Sequence, residues 1–120
     1  MLGLSEDLRF YLFTGKVNFR MGCISLCEVI RTQMKASPED GRNVFVFMNA
    51  SRTIVRIIHY ERGFYVMYEK RPSRGRFRKP VYDSRSGKYK ISYTDLVCLT
   101  EGLVRTEMRL PEAGYEDLKS

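Results

Sequence analysis

The sequence predicts an α+β fold: a mainly antiparallel sheet with a central three-strand meander, one helix after the first strand and a second helix near the carboxyl terminus. Three observations carry this. Strand-like runs at residues 44–48, 53–60 and 64–70 follow one another with linkers of a few residues, which permit hairpins but not a crossover helix. Before them, Met21, Ile24, Cys27, Ile30 and Met34 recur at spacings of three and four, the period of one helix face. After them, Ser92 and Asp95 have the spacing of a capping box ahead of an apolar stripe.

The first strand is expected at residues 8–14, where Phe, Tyr and Leu cluster before a turn at Gly15. Asn18 is placed to cap a helix over residues 19–34, because its side-chain oxygen can accept an orphan N–H of the first turn. Arg20, Glu28, Arg31 and Lys35 fall off the apolar face of that helix, which should lie on the sheet. Residues 35–42, with Ser37, Pro38, Asp40 and Gly41, form a turn-rich connector.

The run at 44–48 is wholly apolar, as suits a strand buried on both faces; the run at 53–60 carries Arg56 and His59, as suits one with a less buried face. Beyond Lys70 the periodicity stops. Pro72, Gly75, Pro80, Ser84, Ser86 and Gly87 accumulate, so residues 71–89 read as an arm or long hairpin outside the core. The second helix then runs from the Ser92 cap to about Glu101, with Gly102 ending or loosening it.

A chain of 120 residues fits one domain, taken as residues 1–110 with the basic arm at about 70–90; the acidic tail at 111–120 is expected to fray. A hydrophobic fraction of 43% excludes the disordered class. No window approaches the ~18 uncharged apolar residues of a membrane span, and the first nine residues hold acids where a secretory signal would be basic. The expected setting is cytoplasmic, without membrane contact. Cys23, Cys27 and Cys98 form an odd set without a CxxC, read as reduced structural cysteines.

The net charge of +7 is concentrated in one segment. Residues 70–90 hold nine basic residues against the single acid Asp83, while the rest of the chain holds twelve basic against thirteen acidic. A local field of one sign attracts polyanions. Catalytic chemistry has little to build on. His59 is the sole histidine and sits in a strand pattern without a nucleophile or carboxylate at a useful local spacing. The acids are scattered, no two of them in apolar segments that would raise a pKa or assemble a metal site. No glycine-rich phosphate loop joins a strand to a helix. The chain reads as a non-enzyme without metal or cofactor.

The segment KRPSRGRFRKP at residues 70–80 carries the strongest signal. Arginine forks pair with phosphate oxygens, Gly75 allows close backbone approach, and Phe77 can stack on a base or anchor the arm. The candidate nucleic-acid-binding residues are Lys70, Arg71, Arg74, Arg76, Phe77, Arg78 and Lys79, with Arg20 at the start of the first helix as a further cation. A basic loop that docks an acidic protein, or that serves solubility alone, has the same composition.

The order of short motifs also resembles a family. Thr14-Gly15, Asn18 to Gly22, Val44 to Phe47, Tyr68 to Arg71 leading into Arg74-Gly75-Arg76-Phe77 and Pro80, and Leu99 to Leu103 are similar to the TnpB-type accessory protein of the insertion-sequence sixty-six family, over residues 11–103. That name is shared with an unrelated RNA-guided nuclease, which the chain does not resemble. The chain departs from the family's usual Asp-Met-Arg-Lys-Gly at Asn18 to Gly22, from its Trp-Asp or Tyr-Asp turn at His59 to Glu61, and from Leu-Glu at Pro72-Ser73. A helix cap and a polar turn survive these changes, but Met21 in place of Lys weakens a phosphate contact by the first helix. The resemblance implies a protein encoded beside a separate transposase and supporting transposition, with the transposase and other element-encoded proteins as partners; DNA is the partner expected from the basic segment.

Overall fold

In the computed structural model, which describes residues 4–81, 87–101 and 108–109, the chain runs β1 (Arg9–Phe13), α1 (Cys23–Thr32), β2 (Asn43–Met48), β3 (Val55–Glu61), β4 (Phe64–Lys70), β5 (Pro80–Val81), β6 (Lys88–Ile91), α2 (Tyr93–Glu101) and β7 (Met108–Arg109). The expected meander is present: β2 pairs antiparallel with β3, and β3 with β4. The main sheet has the order β4-β3-β2-β1-β6, and β5 and β7 form a separate parallel pair.

Two features were hidden from the sequence pattern. First, β1 and β2 are parallel, Arg9 opposite Asn43 and Leu12 opposite Val46, so α1 is the crossover of a β–α–β unit. Second, residues 88–91 are not arm but the edge strand β6, antiparallel to β1 with Phe13 opposite Lys88. Only four residues of KYKI alternate, two of them lysines, so the period-2 signal was lost within the basic stretch. The sheet registers Lys88 and Lys90 on one face, and Tyr89 with Ile91 on the other.

Alternation along the strands sends apolar side chains to two cores. Phe10, Leu12, Val44, Val46 and Ile57 pack with Leu96 and Leu99 of α2 on one face. Phe13, Phe45, Phe47 and Ile58 pack with Leu26, Ile30 and Met34 on the other, under α1. This is why 44–48 carries no polar residue: Val44, Val46 and Phe45, Phe47 are all fully buried, on opposite faces.

The helices differ in how they start. α1 begins at Cys23 and not at Phe19, because Asn18 closes a turn of its own: its Oδ1 accepts the Arg20 N–H at 2.9 Å and its carbonyl the Met21 N–H at 3.1 Å. Gly22 then stands at the helix N-cap without a side-chain hydrogen bond. The carboxyl end comes at Thr32, where Lys35 takes a left-handed φ of 55° and the Ala36 N–H returns to the Ile30 carbonyl. In α2 the reciprocal cap forms as expected, the Asp95 N–H donating to Ser92 Oγ at 2.9 Å and the Ser92 N–H to Asp95 Oδ2 at 3.2 Å. A cap of this kind contributes about 1 kcal/mol. Leu103 and the tail at 111–120 lie outside the described residues.

Candidate nucleic-acid interface

The sheet topology decides which loops share an end. Phe13 at the carboxyl end of β1 faces Lys88 at the start of β6, while Met48, Val55 and Lys70 lie side by side at the ends of β2, β3 and β4. Residues that follow β1, β2 and β4, or precede β3 and β6, therefore gather at one end of the sheet. Lys16 and Arg20 arrive there from the loop after β1, Arg52 from the β2–β3 turn, and Lys70, Arg71, Arg74 and Arg76 from the end of β4 and beyond. At the opposite end, one acid serves two arginines. Asp40 pairs with Arg42 at 3.0 Å and Arg9 at 3.5 Å, and hydrogen bonds from Arg42 hold its carboxyl at about 2.

The candidate residues do not share one environment. Lys70, Arg71, Arg74 and Arg76 line a groove of about 370 Å³ together with Phe77, Thr100 and Glu101. Arg74 and Arg76 are exposed, and among the described residues neither makes an ion pair. Lys70 pairs with Glu101 at 3.3 Å and Arg71 with Glu69 at 2.8 Å. Exposed pairs of this kind contribute about 0–1 kcal/mol, so a polyanion can displace the carboxylates. Lys79 is exposed and lines a separate cleft, and Arg20 is exposed on the loop before α1.

Two residues are not on an open flap. Phe77 is 5% exposed and belongs to the α2-side core, and Arg78 is 7% exposed. Phe77 thus anchors the segment and offers no free stacking face, and Arg78 is withdrawn from the cationic surface. The cause is a backbone clamp: the Phe77 N–H donates to the Arg52 carbonyl at 2.8 Å, and Arg52 Nη1 donates to the Phe77 carbonyl at 3.1 Å. The exposed flap is therefore residues 71–76, held by β4 at one side and by this clamp at the other. Gly75, at φ 74°, supplies the left-handed turn within it.

A second network ties the Arg20 loop to the flap. Arg56 Nη1 donates to the Met21 carbonyl at 2.9 Å, its Nε donates to Glu69 Oε1 at 2.7 Å, and its guanidinium lies 5.0 Å from the Phe19 ring centre. Glu69 in turn accepts from Arg71 Nε; Arg71, then Arg56, holds its carboxyl below the ordinary range. Lys16 and Arg52 were missed as candidates because they are single cations in separate turns; the clamp to Phe77 holds Arg52 beside the flap, and the parallel pairing of β1 with β2 brings Lys16 to the same end of the sheet.

His59 is buried, with Nε2 2.8 Å from the Gly41 carbonyl. Burial, and next the neighbouring Cys23, pushes the Cys27 thiol up to about 11, which keeps it protonated and a poor nucleophile. Among the described residues no cluster of three or more His, Cys, Asp or Glu side chains is placed to hold a metal, and no helix is long and apolar enough to cross a membrane.

Comparison with known proteins converges on one family. Residues 8–110 match the family model described as IS66 Orf2 like protein, TnpB. The chain is 31% identical over 119 residues to the uncharacterized protein y4hO of Sinorhizobium fredii, an alignment covering 99% of this chain and 98% of that one. No solved structure matches. The motif order at residues 11–103 falls within the matched region, and the chain belongs to the IS66 Orf2 like family of transposition accessory proteins.

Proposed function

We propose that the chain is a non-enzymatic cytoplasmic accessory protein that holds nucleic-acid backbone at the basic end of its sheet and so helps assemble the transposase on element DNA. Arg74 and Arg76 make the primary phosphate contacts, Lys70 and Arg71 add to the field from behind them, and Arg20 extends it along the neighbouring loop. The observation that carries this reading is the pair of exposed arginines without ion-pair partners among the described residues, beside Lys70 and Arg71, which pair with Glu101 and Glu69. Guanidinium forks suit phosphate oxygens, and each phosphate neutralised releases condensed counterions, so binding should fall steeply with salt and show little sequence preference.

Filter binding to a short duplex across a salt series tests it. Replacing Arg74 and Arg76 together by Ala is expected to weaken binding at low salt by at least about tenfold and to flatten the plot of log K against log salt by about 0.9 per lost contact, ~1.8 for the pair. Unchanged affinity and slope would remove the assignment. Co-purification with the transposase that survives nuclease treatment, together with no DNA binding by the chain alone, would replace it with a protein-docking role for the same surface.

A further inference from the structure

The two outer strands of the main sheet differ. β6 is four residues long with two lysines, a composition that deters a further strand. β4, at the other end of the strand order, has seven residues, FYVMYEK, paired to β3 without a bulge and without proline. Its two charges, Glu69 and Lys70, stand together at the carboxyl end. No strand among the described residues pairs with its outer side, and its leading aromatics face solvent, Phe64 at 71% exposure and Tyr65 at 37%. A long, regular, open edge is a template for another strand.

The β3–β4 hairpin fixes which backbone groups face outward. Arg62 and Gly63 have φ of 51° and 88°, the two left-handed residues of a type I′ turn, so Glu61 and Phe64 are the hydrogen-bonded pair that closes it. Bonded and non-bonded pairs alternate along an antiparallel ladder. Phe64, Val66, Tyr68 and Lys70 therefore direct their N–H and C=O groups to β3, while those of Tyr65, Met67 and Glu69 point away from the sheet.

We infer that this edge pairs antiparallel with β4 of a second copy, about a two-fold axis at Met67, so that two five-stranded sheets join into one. Met67 opposite its counterpart sets Tyr65 opposite Glu69, and every outward N–H and C=O of the three residues then has a partner. Sliding the strands by two residues either way would draw in Gly63, which lies in the turn, or Arg71, which lies past the end of β4. The side chains suit the same register. Phe64 lies opposite Lys70, whose aliphatic stem covers the ring, and Val66 lies opposite Tyr68. Tyr65, whose hydroxyl donates to Glu39, lies opposite Glu69. No like charges face each other, the arrangement that would oppose self-pairing. One sequence supplies both sides of each match, which a second copy offers and an unrelated strand does not.

Sedimentation of the purified full chain over a concentration series, without nucleic acid, reads the assembly, and amide hydrogen exchange of the 15N-labelled chain reads the surface. The expected result is a reversible rise to twice the monomer mass and no further. Over the same range the amides of Tyr65, Met67 and Glu69 should pass from fast to slow exchange, while those of Val66 and Tyr68 stay slow throughout. Phe64 is exposed, so its replacement leaves the core intact, and the melting temperature of each variant confirms this. Phe64→Lys sets a lysine opposite Lys70 twice in each dimer and should weaken association at least about tenfold. Phe64→Glu sets a carboxylate there and should keep it. A chain that stays monomeric up to about 1 mM, a mass above twice the monomer's, a dimer whose three outward amides still exchange fast, or equal association by Phe64→Lys and Phe64→Glu would each overturn the pairing. None of these readouts depends on Arg74 or Arg76 binding DNA, so the edge pairing and the nucleic-acid surface stand or fall separately.

Discussion

Phe77→Ala is expected to cost about 3–5 kcal/mol of folding stability, the range for truncating a buried aromatic, and to appear as a large drop in the urea midpoint. Phe77 sits inside the most basic stretch of the chain, where an aromatic would ordinarily be assigned to base stacking. It is instead 5% exposed and packed in the core that joins the sheet to α2. Its backbone is tied to Arg52 through one hydrogen bond in each direction. Truncation therefore removes core volume and releases the downstream end of the flap. Nucleic-acid affinity should fall as a consequence of lost order, and Phe77→Leu, which keeps most of the volume, should restore both properties to a large extent. A variant with lost binding and an unchanged urea midpoint would show that the ring acts as an open stacking surface after all.

Arg56→Ala has the next largest expected effect, about 1–3 kcal/mol, because truncation leaves polar groups that were paired beneath a largely buried side chain. The Arg56 side chain is 12% exposed, and it serves the Met21 carbonyl, Glu69 and the face of Phe19 together. Without it, the loop carrying Arg20 loses its tie to β3, and Glu69 keeps Arg71 as its remaining ion-pair partner among the described residues. Arg56→Met keeps the aliphatic stem and should recover little, since the loss is in the hydrogen bonds. Acid titration gives a second readout. A carboxyl held below its ordinary value lends stability above that value, 4.5 for Glu69, and loses it as pH falls through the folded-state value. The acid-side loss of stability should therefore be shallower in Arg56→Ala than in wild type. An Arg56→Ala protein as stable as wild type, with the same acid profile, would show that the network carries no energy.

The strongly periodic parts of the fold were legible in the residues. The three meander strands, the apolar central strand buried on both faces, the Ser92–Asp95 cap and the placement of both helices follow from hydropathy period and local hydrogen-bonding chemistry. Pairing was less legible. Whether β1 lies parallel or antiparallel to β2 is a tertiary choice, and the residues of β1 read the same either way. β6 escaped because four residues with two lysines cannot outweigh the turn formers around them. Asn18 was expected to cap the helix, but its side chain closes a turn upstream and Gly22 stands at the cap.

The candidate site shows the same division. Clustering in sequence found the exposed pair Arg74 and Arg76 because the flap is one local segment. It also drew in Phe77 and Arg78, since composition does not report burial, and passed over Lys16 and Arg52, whose proximity depends on the strand order. The proposed interface follows the end of the sheet and not the run of basic letters.

The proposed polyanion surface is made by the cations at the carboxyl ends of β1, β2 and β4. Amide shifts of the 15N-labelled chain on adding a short duplex at low salt test this most directly. Perturbations are expected at residues 16–21, 50–53 and 70–76, fading as salt is raised, with residues 39–42 and 61–65 at the far end unmoved. Perturbations centred on that far end, or a pattern that ignores salt, would contradict it.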